Sequence, residues 1–401
     1  MSANFGVTFG ICLVVLLFQC GVPSHAMLNP IDFLALQSIR RSLRDLPGSN
    51  YFSAWDFTSD PCKFPGVFCD ADRVVALNLG DPRAGSPGLT GRLDPAISKL
   101  SALAEFTVVP GRVFGSLPQT LSRLRFLRFL AISRNYLTGE IPATIGQLRG
   151  LRTLDLSFNQ LAGSIPPSIG TLPALSNLIL CHNRLTGSIP PFSSRTLTRM
   201  DLKHNDLSGS LPVHGLPPSL QYLSLSWNRL SGPVDRAVSR LNRLNYIDLS
   251  LNRFTGPIPA CLFTFPISNL QLQRNQFAGT VQPVQPVRIQ TVDLSYNTLS
   301  GHVSAMFSSV ENLYLNNNRF TGEVPRSVVE QLLAGSIRIL YLQHNYLTGI
   351  VGINPTVQIP LRSSLCLQYN CMVLPLHASS CPLKAGTRKT RPMSQCREWK
   401  G

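Results

Sequence analysis

Between about residue 74 and residue 349 one pattern of apolar and polar positions returns coil after coil. Leu151, Leu154 and Leu156 precede Asn159, and similar apolar runs precede Asn135, Asn183, Asn205, Asn228, Asn252, Asn275, Asn297, Asn318 and Asn345. Apolar residues two apart mark a short strand with one buried face. So short a strand has nothing of its own to bury that face against, so successive copies must stack.

Each of these Asn residues opens an Asn-x-Leu/Phe-x-Gly unit, and its glycines, Gly139 to Gly322, recur every 21 to 24 residues. An Asn side chain both donates and accepts, so it can pair backbone groups left open where the strand turns away inside the stack. The glycine allows a positive φ or a close backbone approach. Pairs such as Ile141-Pro142, Ile165-Pro166 and Ile258-Pro259 then follow. Proline fixes φ and lacks a donor, so this return segment should be extended and outside any central sheet.

The sequence from Val74 to Gly349 thus resembles the plant-type leucine-rich repeat, L-x-x-L-x-L-x-x-N-x-L-x-G-x-I-P. The resemblance implies an α/β-type solenoid, a right-handed superhelix of about twelve repeats with a parallel concave sheet and disulfide-capped ends. It is specific for fold and says little about function.

The flanks divide the rest. Residues 1–26 carry no Asp, Glu, Lys or Arg, hold an apolar run from Val7 to Phe18 and end in Ser24-His25-Ala26, which reads as a signal peptide. Residues 27–73 form an N-terminal cysteine cap, 74–360 the repeats and 361–401 a basic, cysteine-rich C-terminal cap. In the first cap Asn29-Pro30-Ile31-Asp32 offers a helix N-cap, a proline at the first helical position and an early acid. Trp55 and the segment from Asp60 to Cys69 are similar to the plant N-terminal cap, with Phe64 where that family usually has a second tryptophan, and the resemblance implies a Cys62 to Cys69 pair. Cys366, Cys371, Cys381 and Cys396 allow three pairings, all open at this stage. Two disulfides closing the last coil are expected. Cys181, on a strand, and Cys261, three coils further along on the return side, lie about 14 Å apart along the axis, too far to bond.

The formal net charge is +16. A basic surface favours acidic partners. An export signal removes nucleic acid from consideration, leaving acidic wall polysaccharide or an acidic protein. Lys384, Arg388, Lys389 and Arg391 of the tail are the candidate polyanion contacts. No Asn-x-Ser/Thr sequon occurs outside Asn354-Pro355, so the faces should lack N-linked glycans.

No nucleophile elbow, zinc-protease helix, phosphate loop or kinase loop is present, so neither catalysis, a metal site nor a cofactor is expected. Asp155, Asp201, Asp248 and Asp293 read as ordinary strand residues. The recognition candidates are the residues just before the repeat Asn, Phe158, His182, His204, Trp227, Arg274 and Tyr296, and a neighbouring column of Arg199, Tyr222 and Tyr246. Both columns are expected on the concave strands, where Trp, Tyr and Arg supply most binding energy. Resemblance to plant receptor ectodomains implies an extracellular protein or peptide partner, with the chain acting alone or alongside a receptor kinase. Resemblance to polygalacturonase-inhibiting proteins implies a wall-degrading glycosidase instead, and a pectin-binding scaffold is the third reading.

Overall fold

The computed structural model describes residues 27–80, 88–353, 357–373, 381 and 390–397. The signal-peptide reading, Lys384, Arg388 and Lys389, and most of the Gly80 to Pro87 insertion lie outside them.

Val67–Asp70 pairs antiparallel with Arg73–Leu79, and from there a parallel series of short strands continues to Ser364–Cys366, making a 14-stranded sheet. Register is set by one buried apolar residue per strand. Leu130, Leu154, Leu178, Met200, Leu223 and Ile247 face one another in sequence, and none of the six is exposed. A one-residue slip would turn this column to water.

Past each strand from Phe129–Ala131 onward the backbone turns through a residue of positive φ, from Arg134 at +55° to Tyr369 at +59°, and the repeat Asn follows at once. Asn159 shows what the turn requires. Its Oδ1 accepts from the Leu137 backbone N–H at 2.9 Å, one coil back, and its Nδ2 donates to the carbonyls of Ile132 at 2.7 Å and Leu156 at 3.1 Å. The same arrangement recurs through Asn370, so the ladder and the strand series run past residue 360.

On the other face pairs such as Ile141-Pro142 and Ile258-Pro259 are extended and outside any sheet, as expected, but the residues ahead of them carry a second sheet. Segments around the glycine pair across coils into a seven-stranded sheet from Ser208–Gly209 to Tyr346–Ile350, with smaller sheets in the preceding coils. Most of these segments bury a single apolar residue, such as Leu230 in Arg229–Gly232, so no alternation announces them. Beyond the Ile-Pro pairs the chain returns through 3₁₀ turns such as Ala143–Gln147 and Ala260–Thr264. The longer step from Gly322 to Gly349 accommodates an α-helix, Arg326–Leu333.

Both ends are closed. The cap helix Pro30–Ser42 begins where Asn29 Oδ1 accepts from the Ile31 N–H at 3.0 Å. Asp32 is wholly buried and takes both Nε (3.0 Å) and Nη2 (2.9 Å) of Arg73 as well as the Val74 N–H (2.9 Å), which ties the helix to the first repeat strand. Trp55, Phe57 and Phe64 pack as an aromatic cluster beside the Cys62–Cys69 disulfide. At the far end the bonds are Cys366–Cys381 and Cys371–Cys396. Cys181 and Cys261 are unpaired, and burial pushes the Cys181 thiol up to about 11, which leaves it protonated at neutral pH.

Candidate functional site

The residues before the repeat Asn are not on the strands, as the sequence suggested, but in the positive-φ turns at their exits. Four of them nonetheless converge. Phe158 stacks on His182 with ring centroids 4.1 Å apart, His182 on His204 at 4.3 Å, and His204 on Trp227 at 4.8 Å, all nearly parallel. Arg134, which sequence reasoning missed, lies over Phe158 at 4.4 Å and ends the stack. The turn is identical in every coil, so its side chains leave in the same direction one coil apart, and about 4.8 Å is within the range of stacked rings. Trp227 remains 53% exposed. Leu251 occupies the next turn and interrupts the column, after which Arg274 stacks over Tyr296 at 4.3 Å as a separate pair.

Burial lowers the basicity of His182, helped by the neighbouring His204 and Lys203, and burial likewise lowers that of His204. A histidine whose folded pKa lies below the unfolded 6.5 contributes stability that is present above that value and is lost as pH falls through the folded pKa. Acidifying from pH 7.5 to 5 should therefore lower the melting temperature more in the parent than in a His182→Asn, His204→Asn variant. Parallel pH curves for the two would show that the stack does not resist protonation.

Arg199, Tyr222 and Tyr246 do lie on the strands, in direct register. Arg199 sits 4.0 Å over the Tyr222 ring, and Tyr222 stacks on Tyr246 at 4.3 Å. Burial raises the pKa of both tyrosines, with Asp201 adding to it at Tyr222 and Asp248 at Tyr246, so both are neutral hydroxyls under ordinary conditions.

The row of Asp residues is structural at three positions. Asp155, Asp248 and Asp293 each use Oδ1 to accept from the N–H and hydroxyl of the Ser two residues on, at 3.0 Å and 2.6 to 2.7 Å. Asp201 has Lys203 in that place. Its Oδ1, the Arg199 Nε and the hydroxyl of the facing Ser224 are all buried without a hydrogen-bond partner. The break in the Asp-Leu-Ser pattern was the signal that could have singled out this spot.

In the tail, Arg391 is occupied. It donates from Nε to the Asn345 carbonyl at 2.9 Å and from Nη1 to Gln395 Oε1 at 3.1 Å, and it covers Tyr346 and Tyr369. It therefore serves as part of the lid on the last coil rather than as a free polyanion contact. Among the described residues no cluster of His, Cys, Asp or Glu is arranged to hold a metal ion, and no helix is long and apolar enough to cross a membrane.

Comparison with known proteins agrees with this architecture. Residues 29–70 match the leucine rich repeat N-terminal domain, and residues 126–148, 150–172, 219–241 and 309–329 match the leucine rich repeat. A probable inactive receptor kinase of Arabidopsis thaliana is 36% identical over 142 residues, covering 34% of this chain and 13% of that protein. The solved structure of PEPR1-AtPEP1 is 26% identical with a TM-score of 0.61, over 86% of this chain and 56% of that one. The ectodomain of the Arabidopsis thaliana receptor kinase GASSHO1/SCHENGEN3, in complex with CASPARIAN STRIP INTEGRITY FACTOR 2, is 26% identical with a TM-score of 0.63, over 85% and 47%. The chain spans 13% of the curated relative and about half of each solved chain. With an N-terminal cap, a stacked parallel sheet and an asparagine ladder all in place, this chain folds as a leucine-rich repeat solenoid, similar over most of its length to solved plant receptor structures.

Proposed function

We propose that the chain is a secreted, non-catalytic recognition protein that binds an extracellular protein or peptide and acts with a receptor kinase in signalling or defence at the plant cell surface. The observation that carries this reading is the pairing of two side-chain columns. The exposed stack from Arg134 to Trp227 borders the concave strands bearing Arg199, Tyr222 and Tyr246. Aromatic side chains already held in place by their neighbours lose little entropy when a partner docks. Similarity to an ectodomain solved in complex with CASPARIAN STRIP INTEGRITY FACTOR 2 supports the same use of the fold.

Affinity capture from a plant wall extract tests the reading. A captured peptide or receptor kinase supports it, whereas a glycosidase would make the chain an inhibitor and polysaccharide alone a wall scaffold. Trp227→Ala should leave the melting curve unchanged and weaken capture by about 2 kcal/mol, the scale of an interface hot spot. Arg236→Ala, on the exposed return side, should have no effect on capture. Undiminished capture by Trp227→Ala would remove the stack from the binding surface.

A further inference from the structure

The middle of the concave face contains an ion pair that is poorly made. Arg199 Nη2 lies 3.4 Å from Asp201 Oδ2, the one contact between them, although the Asp201 side chain is only 4% exposed. Elsewhere in the same molecule Arg73 reaches Asp32 twice, at 3.0 and 2.9 Å, which is the ordinary geometry of a guanidinium on a carboxylate. The difference follows from the backbone. Arg199 and Asp201 are two apart on one strand, so their side chains rise side by side from the same face, and the arginine must fold back to approach the acid. Its Nε is left unpaired in doing so, and so are Asp201 Oδ1 and the Ser224 hydroxyl beside it.

Leaving three buried polar atoms unpaired is unfavourable, because each has given up water without gaining a partner. The arrangement nevertheless has every element of a cation receptor: a buried carboxylate with open acceptor capacity, a hydroxyl on the adjacent strand and a tyrosine ring beneath the charge. Lys203, where the strands of Asp155, Asp248 and Asp293 carry Ser, supplies no partner to the open oxygen.

We infer that Arg199 is a self-ligand, occupying the seat that a guanidinium or ammonium group of the partner takes when it binds. An incoming cation descends along the normal to the sheet, free of the tether that strains Arg199. It meets Asp201 and Ser224 head-on and stacks on Tyr222 as Arg199 swings outward. The partner's anchor is therefore a basic side chain, despite the +16 charge of the receiving protein. This inference rests on the concave face being the recognition surface.

Two blocked pentapeptides test it, acetyl-Gly-Gly-Arg-Gly-Gly-amide and its Glu counterpart, titrated against the intact protein by calorimetry at moderate salt. Long-range repulsion disfavours the Arg peptide, so its binding reports the local seat. The parent should bind the Arg peptide weakly. Arg199→Ala should bind it about tenfold more tightly, because a competing occupant has been removed. Asp201→Asn should weaken it at least about tenfold with the melting curve retained. Weaker or unchanged binding of the Arg peptide by Arg199→Ala overturns the inference. So does Glu-peptide binding that Arg199→Ala abolishes, which would make Arg199 the reader of an anion. Should Asp201→Asn not fold, the Arg199→Ala arm still decides. Partner capture lost in Trp227→Ala, together with no Arg-peptide binding, would sink this inference and leave the proposed function standing.

Discussion

Asn252→Ala should destabilise the solenoid by about 3 kcal/mol or more, whereas Asn245→Ala on the same coil should change it by less than about 0.5 kcal/mol. Asn252 is 9% exposed. Its Oδ1 is the acceptor for the Leu230 N–H at 3.0 Å, and its Nδ2 serves the carbonyls of Leu225 (2.9 Å), Ser250 (3.1 Å) and Leu249 (3.3 Å). Alanine removes all of these at once and admits no water in their place. Each buried group left open costs about 1 to 3 kcal/mol, so loss of the N–H partner and one carbonyl partner already reaches the stated figure. Asn245 is exposed and heads no such set. Chemical denaturation of the two variants checks the contrast, and similar midpoints would mean the ladder is replaceable by water.

Asp32→Ala should cost about 3 kcal/mol, and the loss should be confined to the N-terminal coils. The carboxylate is wholly buried, while the Arg73 side chain it holds is 29% exposed. Removing the acid leaves the Val74 N–H without its acceptor, and leaves the guanidinium to find water for only part of its surface. Because each coil touches only its neighbours, damage at one end propagates slowly along the stack. Limited proteolysis should therefore cut near the cap helix of the variant while coils beyond Asn159 stay protected. A uniform loss of protection would mean that the solenoid unfolds as one unit.

Period-two alternation and the recurring Asn were enough to read the stacked parallel sheet and the role of the ladder, because both depend on side chains that have no alternative. The second sheet was not legible. Segments such as Arg229–Gly232 bury one residue each, and their pairing is a consequence of stacking rather than of any local preference. The pairings Cys366–Cys381 and Cys371–Cys396 were likewise undetermined by spacing. At the candidate site, sequence found the aromatic residues but placed Phe158, His182, His204 and Trp227 on the strands. Bulky residues seldom adopt positive φ, and nothing about a Trp or Phe announces that conformation. Asp201 was grouped with Asp155, Asp248 and Asp293, and only the missing serine at residue 203 separates it from them.

The constant step from coil to coil turns the concave face into one scale of a vernier. Strands recur about every 4.8 Å along the axis, while an extended chain laid across them presents a side chain to the same face about every 6.8 Å. The two scales coincide after about 14 Å, at three coils for every two inward-facing side chains. An extended ligand seated at Arg199 is therefore next in phase three coils away, on the strands that begin at Phe129 and Asn269. Inserting or deleting one whole coil would preserve every hydrogen bond of the ladder and still put such a ligand out of step, so the spacing of reading positions is open to change by a kind of mutation that fold stability scarcely opposes.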